Sequence, residues 1–168
     1  MNNEFLDQNK LKNLGFKSVG SDVKISKNIT IIGASNITLG TNVRIDDYTI
    51  ISAANGSLAV GSNVHIGGQS YFGCSGNIEI GSNVNISQGS KFYSKINKYL
   101  EYDTDENYTL NKITIEDNVI IGSGCVIIGE CNILEGATVG ALSFVKGNLN
   151  SWSIYAGNPA KFIKTRKK

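Results

Sequence analysis

Proline is almost absent from this sequence: Pro159 is the single one in 168 residues, beside 19 glycines. Turns must therefore be punctuated by glycine and its polar substitutes. There is one histidine, His65, which excludes any centre that needs three imidazoles, such as a three-histidine zinc site; no metal is expected. No run of 18 apolar residues occurs, so no membrane span is expected. The opening "MNNEFLDQNKLKNLGF" has no apolar h-region, so it is not expected to be a signal peptide. The net charge is only +2, and no aromatic–basic stacking surface is visible, so nucleic acid is not an expected partner. Three cysteines form no even framework. Without an export signal they read as reduced thiols, which points to the cytoplasm.

What is present is a phrase written four times. "LGTNVRIDD" from Leu39 returns as "VGSNVHIGG" from Val60, as "IGSNVNISQ" from Ile80 and as "IEDNVIIGS" from Ile115. Within each copy large apolar residues step by six: Leu39, Ile45, Ile51; Val60, Ile66, Phe72; Ile80, Ile86, Phe92; Ile115, Ile121, Ile127; Ile133, Val139, Val145. Four residues after an aliphatic stands Val or a small residue, as at Val43, Ser70, Val84, Ser90, Cys125, Ala137 and Ser143. A step of six fits neither a helix nor one long strand. It fits a chain that runs a short strand, turns a corner at Gly, Asn or Asp, and runs the next. Three sides make a coil of about eighteen residues, and stacked coils bury a continuous aliphatic column. Cys125 and Cys131 fall at inward small positions; Cys74 is expected to point outward.

These repeats, with the closing "SIYAGNPAKFIK", resemble the hexapeptide-repeat acyltransferases over nearly all of residues 22–163. "LGFKSVGSDVKIS" and "NVRIDDY" resemble a subgroup that acylates sugars in surface-polysaccharide biosynthesis. The resemblance implies an all-β fold, a left-handed parallel β-helix, against the usual right-handed crossover. One domain, 1–168, is expected. It has an N-terminal cap at 1–21 with a short helix around Leu6, Leu11 and Leu14. The β-helix spans 22–150, with a long inserted loop at 94–112. A coenzyme-flanking segment and basic tail occupy 151–168. Insertions of that length in a regular solenoid are usually functional.

The implied reaction is transfer of an acetyl group from acetyl-CoA to a hydroxyl or amine of a sugar or nucleotide-linked sugar. The family also implies a homotrimer with sites between subunits. The alternative is a non-catalytic scaffold or pseudoenzyme that kept the fold. Acyl transfer needs a base and oxyanion donors. Related sugar O-acetyltransferases carry a histidine just after the third side of a coil; here that register places Asn97, whose amide takes no proton. That leaves His65, sixth in its hexad and so outward-facing, stacked between Arg44 and Asn85. An imidazole ionises near neutrality and suits the task. The competing reading is a surface histidine bonded to the next coil. Asp46 and Asp47 stand one coil above it, as orienting or acceptor-binding carboxylates or as plain corner residues. Gln69 falls near an acceptor-binding amide of related enzymes. Arg44, Asp46, Asp47, Gln69, Asn85 and Asn97 are the candidate acceptor-binding residues, with Glu101, Asp103, Asp105 and Glu106 of the insertion beside them. On the coenzyme side the resemblance implies Ser123, Gly124, Gly140 and Ala141 for the pantetheine amides. Gly157, Asn158, Pro159 and Lys161 flank the adenine and 3′-phosphate. Lys146 and the Lys164–Arg166 tail add positive charge. An amine acceptor demands less of a protein base, so the absent second histidine favours N-acylation while leaving O-acylation open.

Overall fold

The period of six becomes three flat walls of a prism. The structure, a computed structural model, describes residues 4–98 and 108–167; Glu101, Asp103, Asp105 and Glu106 lie outside the described residues. The first wall stacks Ser18–Val19, Ile37–Leu39, Ser57–Val60, Asn77–Ile80, Lys112–Ile115 and Cys131–Ile133. The second stacks Lys24–Ile25, Val43–Ile45, Val64–Ile66, Asn85–Ile86, Ile120–Ile121, Thr138–Val139 and Ser153–Ala156. The third stacks Thr30–Ile32, Ile50–Ser52, Tyr71–Gly73, Lys91–Tyr93, Val126–Ile128 and Phe144–Lys146. Successive coils pair in parallel on every wall. The solenoid is a left-handed parallel β-helix. Among the described residues no helix is long and apolar enough to cross a membrane.

The strands are two to four residues long because each must place one large and one small side chain inward before the next corner. The inward set is buried throughout: Ile25, Ile45, Ile66, Ile86, Ile121 and Val139 form one column on the second wall. On the third wall Phe72 and Phe92 stack with centroids 4.7 Å apart and planes 6° apart. At the first corner the coils approach closely. A Cβ added at Gly61 would lie 2.6 Å from the Gly81 carbonyl carbon, so only glycine permits this spacing.

The coils are not uniformly eighteen residues. His65 pairs with Arg44, twenty-one residues before it, and with Asn85, twenty after it, whereas Ile120 pairs with Thr138 eighteen on. The excess sits in the third corner, four residues (53–56) in the early coil and two (129–130) in the late one, and in the strand after it, Ser57–Val60 being one residue longer than Cys131–Ile133. This longer corner corrects the expectation for Cys74. The two-residue alternation continues past Phe72, so Cys74 turns inward and is fully buried. Burial pushes the Cys74 and Cys131 thiols up to about 12 and raises Cys125 as well. Iodoacetamide at pH 8 is therefore expected to label none of the three in native protein and all three in denaturant, counted by intact mass.

The N-terminal helix, the base of the insertion and the last strand are each held by defined contacts. The helix Gln8–Asn13 is N-capped by Asp7, which accepts from Lys10 N at 2.8 Å, and buries Leu11 against the first coil. The insertion leaves after Ser94 and returns at Asn111, whose N–H donates to the Ser94 carbonyl at 2.7 Å. Its base is an antiparallel pair, Lys95–Asn97 with Tyr108–Leu110, with Lys95 over the Tyr108 ring. At the other end Ser153–Ala156 adds one more parallel strand to the second wall, and Lys161–Thr165 folds back antiparallel on it.

Candidate active site

His65 stands on the outer face of the second wall because Val64 and Ile66 take the inward positions on either side of it. The register places Arg44 one coil before it and Asn85 one coil after. Asp46 follows Ile45 at the corner, and its carboxylate bridges the two basic side chains. One oxygen, Oδ1, accepts from Arg44 Nε at 2.6 Å; the other, Oδ2, accepts from His65 Nε2 at 2.8 Å. A carboxylate only accepts, so Nε2 carries a proton, and in the neutral imidazole Nδ1 then holds the lone pair. Nδ1 lies 3.1 Å from Asn85 Oδ1; with the amide turned so that its NH2 faces the ring, Asn85 donates to the Nδ1 lone pair. The Arg44 guanidinium also covers the Phe5 ring.

The electrostatics follow. Burial of Asp46 raises its pKa, but the hydrogen bonds from His65 and Arg44 outweigh that and hold the carboxyl below the usual range. Asp46 is mostly covered, its side chain 17% exposed, while His65 at 42% and Arg44 at 48% remain open to a ligand. Asp47 is held separately, accepting from Ser26 Oγ.

The second corner of every coil lies along one edge of the prism. Its backbone forms a ladder: Gln69 N donates to Asp47 O (2.9 Å), Gly89 N to Gly68 O (2.9 Å), Gly124 N to Gln88 O (2.9 Å) and Leu142 N to Ser123 O (2.8 Å). A cavity of about 330 Å³ opens on this edge, lined by Asp46, Asp47, Tyr48, Gly68, Gln69 and Gln88. Further along the same edge come Ser123, Gly124, Gly140 and Ala141. Gly157 closes it, its N–H donating to Ser143 Oγ at 3.0 Å. The acceptor and coenzyme candidates, except Asn97 and Lys146, thus fall on one edge and its adjoining wall.

Lys146 ends a third-wall strand and Asn97 follows the far end of that wall, away from the edge that the third-wall strands enter from. One subunit does not bring them to His65. Asn158 and Pro159 form an exposed turn, and Lys161 beside them is exposed with no carboxylate paired to it among the described residues. Within the basic tail Arg166 is already engaged. Its Nη1 donates to the carbonyls of Asn118 and Gly136, both at 2.9 Å, and its guanidinium lies over Trp152. Arg166 thus fastens the returning strand to the first corner. Sequence reasoning missed Ser26, Tyr48, Gly68 and Gln88. Gln88 was findable, since it stands in the same corner register as Gly68 and Ser123.

No protein-family model matches the chain. It is 37% identical, over 98% of its length and 90% of the relative's, to a dTDP-4-amino-4,6-dideoxy-D-glucose acyltransferase from Escherichia coli. Among solved structures it resembles AntD, an N-acyltransferase from Bacillus cereus, in complex with dTDP and 3-hydroxybutyryl-CoA. Identity there is 36%, coverage 99% of this chain and 92% of that one, and the TM-score 0.91. A serine-to-alanine variant of AntD, in complex with dTDP-4-amino-4,6-dideoxyglucose and coenzyme A, matches at 37% identity with a TM-score of 0.90, over 99% and 92% of the two chains. A hexapeptide-repeat acetyltransferase from Vibrio cholerae, 20% identical with a TM-score of 0.67 over 99% and 81% of the two chains, shares the fold.

Proposed function

The chain belongs to the hexapeptide-repeat acyltransferases, and on that premise we propose that it moves an acetyl group from acetyl-CoA to the amino group of a dTDP-linked amino sugar. The relatives' acceptors and donors support the substrate classes. The observation that carries the site is the Arg44–Asp46–His65 chain of hydrogen bonds beside the corner edge.

In this reading the cavity on the edge takes the acceptor sugar. Asp47, Gln69 and Asn85 meet its polar groups, and Asn97 reaches it from a neighbouring subunit. The coenzyme arm runs along Ser123, Gly124, Gly140 and Ala141 toward Gly157, Asn158, Pro159, Lys161 and Lys146. The neutral amine attacks the thioester carbonyl, forming the C–N bond as the carbonyl pair moves to oxygen. His65 Nδ1 takes the proton from the nitrogen once the Asn85 amide gives way. Asp46 holds the imidazole by Nε2 and stabilises its cation, while Arg44 fixes Asp46 in turn. The carbonyl re-forms, the C–S bond breaks, and the proton passes from the imidazolium to the coenzyme sulfur. The acylated sugar then enters cell-surface polysaccharide synthesis.

We also place the protein in the cytoplasm, as one domain with its cap at 1–21, β-helix at 22–150 and coenzyme-flanking tail at 151–168, assembled as a homotrimer. The exposed Tyr48 and Ile50 beside the edge support a subunit contact there. The test is release of free coenzyme A from acetyl-CoA with a panel of dTDP-amino sugars, dTDP-sugars lacking the amine, and free sugars. Turnover confined to the amines is the expected result. Turnover on hydroxyl sugars alone would overturn N-acylation, and no turnover with any acceptor would overturn the reading.

A further inference from the structure

Leu142 is out of place by every structural measure. Its backbone is left-handed, φ 57°, a conformation that favours glycine and asparagine over a γ-branched side chain. At the first corner the same conformation is met by Asp22, Asn42, Asn63, Asn83 and Asn118. Leu142 is the sole aliphatic residue with positive φ among the described residues. Its side chain is also 79% exposed, more than any other large exposed hydrophobic residue described. Neither backbone preference nor burial in the subunit accounts for leucine here.

Its neighbours do. Leu142 N bonds the Ser123 carbonyl, and its side chain lies over Gly124, where an added Cβ would come 2.8 Å from Cδ2. Gly89, the preceding rung of the same ladder, likewise has no side chain. The edge between Gln69 and Leu142 therefore carries no side chain at Gly89 or Gly124, and Leu142 itself covers Gly124. Thr138, in Leu142's own coil, is three strands from His65 on the second wall. At about 4.8 Å per strand that is about 14 Å along the axis. A thioester held at His65, with its arm lying along the edge, brings the middle of the arm to Leu142. The apolar part of that middle is the gem-dimethyl carbon of the pantoyl unit.

We propose that Leu142 is a donor-binding residue whose exposed side chain, lying over Gly124, packs on the pantoyl gem-dimethyl group of the acyl-CoA. The inference rests on the acyltransferase reading above and adds the residue that recognises the middle of the coenzyme arm. Burying a leucine against an apolar group is worth at least a factor of ten in affinity. Leu142→Gly and Leu142→Asn both suit the left-handed backbone, so neither is expected to lower the Tm.

The experiment measures KM and kcat with two donors, acetyl-CoA and S-acetyl-N-acetylcysteamine, which keeps the thioester and lacks the pantoyl unit. Both variants are expected to raise KM for acetyl-CoA about tenfold with kcat within twofold, and to leave the constants for the short donor unchanged. A purely structural role would move both donors together or neither, and either result overturns the inference. Direct binding of acetyl-CoA to wild type, by calorimetry, separates the two levels. No binding by wild type sinks the acyltransferase reading and this inference with it. Wild-type binding matched by both variants sinks the inference alone.

Discussion

His65→Ala is expected to lower kcat/KM by about 10²- to 10³-fold, the loss of one well-placed general base, with the Tm nearly unchanged because the side chain is half-exposed. Asp46→Asn is expected to cost less, about tenfold, since the imidazole remains but loses its orientation and the charge that stabilises its cation. The two losses should not add, because Asp46 acts through His65. Steady-state coenzyme A release on the single and double variants checks this. A His65→Ala enzyme with wild-type turnover would place the proton's destination elsewhere, for example on the departing sulfur itself. The pH behaviour of stability gives an independent readout. The carboxyl of Asp46 titrates lower in the folded protein than in the unfolded chain. Its contribution is therefore fully present above the unfolded carboxylate value, about 3.9, and fades as pH falls through the lower folded value. Wild type should thus lose more Tm than Asp46→Asn on going from pH 5 to pH 3. Equal acid sensitivity would show that the Arg44–Asp46–His65 contacts do not persist in solution.

Phe72→Ala is expected to destabilise the fold by about 3–5 kcal/mol, the range for removing a fully buried aromatic ring. Phe72 has no exposed surface and stacks flat on Phe92. The coils above and below present Ile51 and Ile127 to the same column, so no neighbour can swell into the void without shifting a wall. In a solenoid each coil leans only on its neighbours. The damage should therefore concentrate around the coil that also carries His65. Urea denaturation followed by circular dichroism measures the loss. Hydrogen exchange at residues 58–92 should rise before exchange near the C-terminus. Lys91→Ala, at an exposed side chain beside Phe92, is the control and is expected to stay within about 0.5 kcal/mol. Equal losses at the two positions would contradict the assignment of Phe72 to the core.

The sequence alone was enough for the coil. A large residue every six positions and a small one four after it identify which side chains turn inward, because a two-residue alternation within each side is a local property of extended backbone. The Arg44–His65–Asn85 column was legible by the same counting, since equal phrases fall in equal register. Leu142 in a left-handed corner was not, because its backbone angle and its contact with Gly124 exist only once the coils stack.

Tertiary structure decided the rest, and it did so through corner length. Residues that meet across coils are eighteen to twenty-one positions apart, and that interval depends on how many residues the third corner holds. Cys74 turned inward because its corner is longer than the counting assumed. Asn97 left the second wall's neighbourhood because its strand turns into a hairpin at the far end of the third wall. Arg166 found two carbonyls and an indole that only the returning C-terminal strand brings near. The bridging of Arg44 and His65 by one carboxylate is of the same kind. The order of residues places Asp46 at a corner, and only the stacking of one coil on the next brings its second oxygen to within hydrogen-bond reach of the imidazole.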